Sequence, residues 1–79
     1  MCATAGGTAW QISVTNTTQT PYTAWEVDEN CDEANPRDVP RGSLATIITV
    51  TTHPFRLRDA NTLALVREIP AGTKAVTLP

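Results

Sequence analysis

Over much of this chain apolar and polar residues alternate, and that repeated period of two constrains its fold more than any other feature. Trp10, Ile12 and Val14 alternate with Gln11, Ser13 and Thr15 up to Asn16. The pattern predicts a half-buried strand, because successive side chains on an extended backbone point to opposite faces. A second strand is expected over 22–28, with Thr23, Trp25 and Val27 on one face. The 44–51 segment predicts a third, with Thr46, Ile48 and Val50 facing one way and Ala45, Ile47 and Thr49 the other. Its two partly apolar faces are those of a central strand in a sandwich. Shorter strands are expected over 55–58, 63–68 and 74–78. Fourteen threonines among 79 residues support the same reading, since two substituents on Cβ stiffen χ1 and favour strands over helices.

The strands are separated by turn chemistry. The acidic 28–38 stretch reads as a loop with Asn35-Pro36 as its turn signal, and Pro40-Arg41-Gly42-Ser43 reads as another turn. Asp59-Ala60-Asn61-Thr62 reads as a turn in which Asp59 caps the loop toward Thr62. Six or seven short strands at this spacing predict an all-β fold, an antiparallel sandwich of about seven strands. It is expected to form one domain over 10–79, preceded by a flexible segment over 1–9.

Composition removes several function classes. No apolar run approaches the roughly 20 residues that span a bilayer, and no signal peptide is visible. A soluble protein is expected, with a cytoplasmic location favoured. The net charge is −2, and the five arginines and Lys74 are scattered, so no basic stripe for nucleic acid forms. Two cysteines are too few for a cysteine-based zinc site. Asp28-x-Asn30-x-Asp32 opens like a calcium loop, but Glu33 stands where glycine is required and Val39 where the terminal glutamate belongs. No metal or other cofactor is expected. Cys2 and Cys31 are a candidate disulfide, with free thiols the alternative. Asn16-Thr17-Thr18 matches a glycosylation sequon, a weak signal in a threonine-rich chain.

Val39-Pro40-Arg41-Gly42-Ser43, followed by His53-Pro54-Phe55-Arg56-Leu57-Arg58-Asp59-Ala60-Asn61-Thr62, resembles the β-domain of the von Hippel–Lindau tumour suppressor family. Ile12-Ser13-Val14-Thr15-Asn16 is similar to that family's first strand, and Trp25 to its strand-two tryptophan. Leu65-Val66 and Val76-Thr77-Leu78-Pro79 resemble its closing strands. The resemblance implies a seven-stranded sandwich of transthyretin-like topology that binds an extended segment carrying hydroxyproline. It implies hydroxyl-binding roles for Thr49 and His53 and ring-wall roles for Trp25 and Phe55, while the family's wall tyrosine falls at or near Pro36. The family's helical ubiquitin-ligase domain has no counterpart here, so no ligase-adaptor role is expected.

A site of this kind has a clear physical basis. Hydroxyproline differs from proline by one hydroxyl, and a buried donor and acceptor left unpaired by proline disfavour it by several kcal/mol. Thr49 and His53 would stand about 13 Å apart on a straight strand, so they converge only if the intervening residues bend or bulge. No nucleophile–histidine–acid set assembles around His53, the single histidine, and no enzyme is expected. The expectation is a non-catalytic module whose partner is a protein or peptide. Two alternatives stand beside it. One is a small protease inhibitor presenting Arg41 on the 39–43 loop; the other is a structural interaction domain that has lost its pocket.

Overall fold

A computed structural model describes residues 1–78 of the chain, so Pro79, placed with the closing strand above, lies outside the described residues. Seven strands follow one another: β1 (Ala9–Asn16), β2 (Tyr22–Val27), β3 (Glu33–Val39), β4 (Ser43–Val50), β5 (Phe55–Asp59), β6 (Leu65–Ile69) and β7 (Ala75–Leu78). They form a three-stranded sheet, β4-β1-β7, and a four-stranded sheet, β3-β2-β5-β6. All neighbours are antiparallel except β1 and β7, which run parallel with Val14 opposite Val76. Among the described residues no helix is long and apolar enough to cross a membrane.

The alternation works as the sequence suggests. Ile12 and Val14 of β1, Ile47 of β4, Ala24 of β2, Phe55 and Leu57 of β5, Ile69 of β6 and Val76 and Leu78 of β7 fill the space between the sheets. The two open sides of the sandwich are bridged by arginines. Arg37 Nη2 of β3 donates to Ile48 O of β4 at 3.1 Å, and Arg67 Nη1 of β6 donates to Thr77 O of β7 at 3.4 Å. Each occupies a carbonyl that an unpaired edge would otherwise offer to another chain.

Two features differ from the sequence reading. The acidic stretch expected as a loop over 28–38 contains a strand, β3. Ala24 faces Arg37 while Glu26 faces Ala34, so Asn35 and Pro36 together oppose Trp25 as a bulge. Asn35 has φ of +48°, and proline lacks the N–H that a regular ladder would use. A bulge accommodates both. The 44–51 strand, expected to be central, is the edge strand β4, with β1 at the centre of its sheet. Its outward residues Leu44 and Ile48 are 64% and 59% exposed, so an apolar outer face marked no covering layer.

The segment before β1 is tied to the β2–β3 connection. Cys2 and Cys31 are joined by a disulfide with Cα atoms 4.4 Å apart, and Ala3 is buried. Closing 29 residues of separation contributes about 3.6 kcal/mol on loop-entropy grounds.

Asn16, at the end of β1, is 1% exposed. Its Nδ2 donates to Thr20 O at 2.8 Å, Pro40 O at 3.2 Å and Val39 O at 3.3 Å. Its Oδ1 accepts from Thr18 N at 3.0 Å and Thr18 Oγ1 at 2.7 Å. The carboxamide of the sequon is therefore a buried tie between the β1–β2 and β3–β4 connections, inaccessible to a glycan. Asn16→Asp replaces the donor with an acceptor facing carbonyls and is expected to cost about 2–3 kcal/mol. Urea titration should show a lower midpoint at unchanged slope; an unchanged midpoint would refute the tie.

Candidate functional site

The period-two alternation that sets Trp25 on the outside of β2 sets Ala24 and Glu26 on the inside, where Glu26 is 7% exposed. A carboxylate can occupy that position only if its oxygens are fully bonded, because removing an ionised group from water is costly. Arg37 Nη1 donates to Glu26 Oε1 at 2.8 Å. Thr49 Oγ1 donates to Oε2 at 3.0 Å, and His53 Nδ1 bonds the same oxygen.

Each partner arrives by a local feature of the fold. Arg37 faces inward because the Asn35-Pro36 bulge inserts one residue and reverses the alternation beyond it. Its Nη1 also donates to Asn35 O at 2.8 Å, and its guanidinium lies 5.8 Å above the Phe55 ring. Thr49 belongs to the buried face of β4. His53 reaches the cluster because β4 ends at Val50. The chain then turns through Thr51 and Thr52, and His53 N donates to Val50 O at 3.3 Å. The bend required for Thr49 and His53 to converge is therefore this turn, and they meet at a single carboxylate oxygen.

Burial pushes the Glu26 carboxyl up, but the hydrogen bonds from Arg37, His53 and Thr49 together outweigh it and hold it below its ordinary value. The His53 and Arg37 side chains are 26% and 32% exposed, so the cluster reaches the surface along its basic side.

The other two expected site residues part company, one beneath the cluster and one on the opposite face of the sheet. Phe55 is fully buried in the core, beneath Arg37. Trp25 faces the opposite side of the sheet, across from Arg56, in a depression lined by Trp25, Glu33, Arg58 and Leu63. Its Nε1 is buried without a hydrogen-bond partner. There Glu33 accepts from Arg58 Nε and Nη2 at 2.8 and 2.7 Å and from Arg56 Nη1 at 3.1 Å. Arg58 chiefly, and then Arg56, lower the Glu33 carboxyl against the opposing effect of burial. Pro36, at the expected tyrosine position, is exposed in the bulge. Arg41 is exposed beside Gly42, whose φ is +64°, in a tight turn closed by Ser43 Oγ donating to Pro40 O at 2.6 Å. Asp59 Oδ1 accepts from Asn61 N and Thr62 N at 2.8 and 3.1 Å, so Asp59 caps its loop.

Glu26 and Arg37 were missed at the sequence level. The face of β2 complementary to Trp25 carries Glu26 and was the available signal; Arg37 lay in a stretch read as loop. No protein-family model matches the chain, and no curated protein matches it.

Since the folded carboxyl of Glu26 titrates below its ordinary 4.5, its contribution to stability is complete above that value and is lost as the pH falls through the folded value. Glu26→Gln should lower stability at neutral pH by about 2 kcal/mol and flatten the acid limb of stability against pH. Chemical denaturation across an acid series checks this; an acid limb as steep as that of the parent chain would contradict it.

Proposed function

We propose that the domain is a non-catalytic binding module of von Hippel–Lindau β-domain type, with the transthyretin-like topology of that family. In this reading it takes an extended, hydroxyproline-containing peptide at the rim where His53 and Arg37 reach the surface. The observation that carries the proposal is the convergence of Thr49 and His53 on Glu26 Oε2. The resemblance assigns hydroxyl recognition to the same threonine and histidine. Nδ1 is committed to the Glu26 carboxylate, which fixes the ring and leaves Nε2 as the ring nitrogen free for a ligand. A ring nitrogen fixed in this way suits a ligand hydroxyl, which both donates and accepts, a group that hydroxyproline has and proline lacks.

A second reading, a structural interaction domain that has lost its pocket, draws on two observations. Glu26 already engages the Thr49 hydroxyl, and Trp25 faces away from His53. The inhibitor alternative gains nothing from the tight turn at Arg41, because a protease takes its substrate in extended form.

Calorimetric titration with peptides matched except for proline or hydroxyproline separates these readings. One additional hydrogen bond corresponds to a roughly fivefold preference for the hydroxylated peptide. His53→Ala should abolish that preference. Equal affinities, or a preference that survives His53→Ala, would remove the hydroxyl-recognition reading and favour the lost pocket.

A further inference from the structure

The segment preceding β1 lies as a strap across the turn that carries His53. Thr4 N donates to Thr52 O at 3.4 Å, and Thr52 Oγ1 donates to Gly6 O at 3.1 Å. Thr8 N donates to Thr51 Oγ1 at 3.1 Å, and Thr51 N returns a bond to Thr8 O at 3.0 Å. The contact at Gly7 is close enough that a Cβ there would come within 2.9 Å of Thr52 Oγ1, and its φ of +96° suits glycine alone. Near the beginning of the chain, Ala3 N donates to Asp28 O at 3.0 Å. The neighbouring Cys2–Cys31 disulfide fastens the strap to the β2–β3 connection.

Ahead of Thr8, which continues the β1–β4 register opposite Thr51, little besides the disulfide holds the strap down. Ala3 is its one buried residue, and residues 4–8 are exposed. Hydrogen bonds among exposed groups barely exceed the cost of ordering the chain that makes them. Both cysteines are exposed, so a reductant can reach the bond, and Cys31 is held at φ of +67°, a conformation that a non-glycine residue adopts reluctantly.

We infer that the disulfide and strap form a redox latch on the His53 turn, closed while Cys2 and Cys31 are joined and released when a dithiol reductant opens them. A thiolate of the reductant attacks one sulfur and forms a mixed disulfide. Its second thiol then displaces the chain, leaving Cys2 and Cys31 as thiols and the reductant as a disulfide; two electrons and two protons pass to the chain. Release removes the bonds that join Thr4 and Gly6 to Thr52 and frees the turn that directs His53 at Glu26. In an oxidising compartment the latch stays closed, and where dithiol reductants act it opens. Because strap docking and disulfide closure are linked, each favours the other by the same factor. The latch does not depend on what the His53 cluster binds.

Residue-resolved hydrogen exchange on the full chain tests the latch in three forms: oxidised, reduced with dithiothreitol and alkylated, and oxidised Gly7→Ala. Reduction should raise exchange at the Thr4 and His53 amides by roughly tenfold or more while the β1 and β2 amides keep their protection. Gly7→Ala, with the disulfide intact, should raise exchange at His53 and make the disulfide roughly fivefold easier to reduce in a dithiothreitol titration. Unchanged exchange at His53 after reduction would overturn the latch. So would loss of protection throughout the sandwich, which would make the disulfide a general staple. A Gly7→Ala chain with the parent's reduction midpoint would overturn the linkage.

Discussion

The carboxylate of Glu26 is an ionised group placed inside a small sandwich, and its surroundings are organised around keeping it bonded. β2 supplies the charge, β3 the Arg37 guanidinium, β4 the Thr49 hydroxyl and the turn after β4 the His53 imidazole. A buried charge adds stability only when every partner is in place, and it is costly when one is lost. This single requirement ties together three strands and a turn that are separate in sequence. It also accounts for the position of Arg37, which covers Phe55 and closes the open side of β4 while it bonds Glu26.

The second ionic cluster shows how a sheet divides chemistry between its faces. Glu33, Arg56, Arg58 and Trp25 share the outer surface of the four-stranded sheet, whereas Glu26, Arg37 and Phe55 share the inner one. Residues that a family pattern would gather around one ligand are therefore distributed over two surfaces. Thr49, His53 and Phe55 lie in or beside the inner cluster, and Trp25 does not accompany them.

Much of the fold was legible in local pattern. β1, β2, β5 and β7 lie within two residues of the bounds that alternation suggests, because burying one face of a strand needs nothing beyond period two. β3 was not legible. Asn35 and Pro36 resemble a turn in sequence, and only the pairing partner turns them into a bulge. The edge position of β4 was equally hidden, since Leu44 and Ile48 look like core residues until the sheet order shows nothing packed over them. The candidate site was legible in part. Thr49 and His53 were visible as a hydroxyl and an imidazole near a bend, but the carboxylate joining them comes from a strand more than twenty residues away.

By itself the sequence determined an all-β chain, the face on which each alternating residue lies, and the turns at Asp59 and Gly42, because these depend on side-chain period and backbone preference within a few residues. Tertiary structure alone decided that Arg37 faces inward, that Trp25 and His53 lie on opposite faces, and that residues 4–8 cross the His53 turn. Each of those outcomes depends on strand register, a bulge or a disulfide joining distant residues. A one-residue change in register moves every side chain beyond it to the other face.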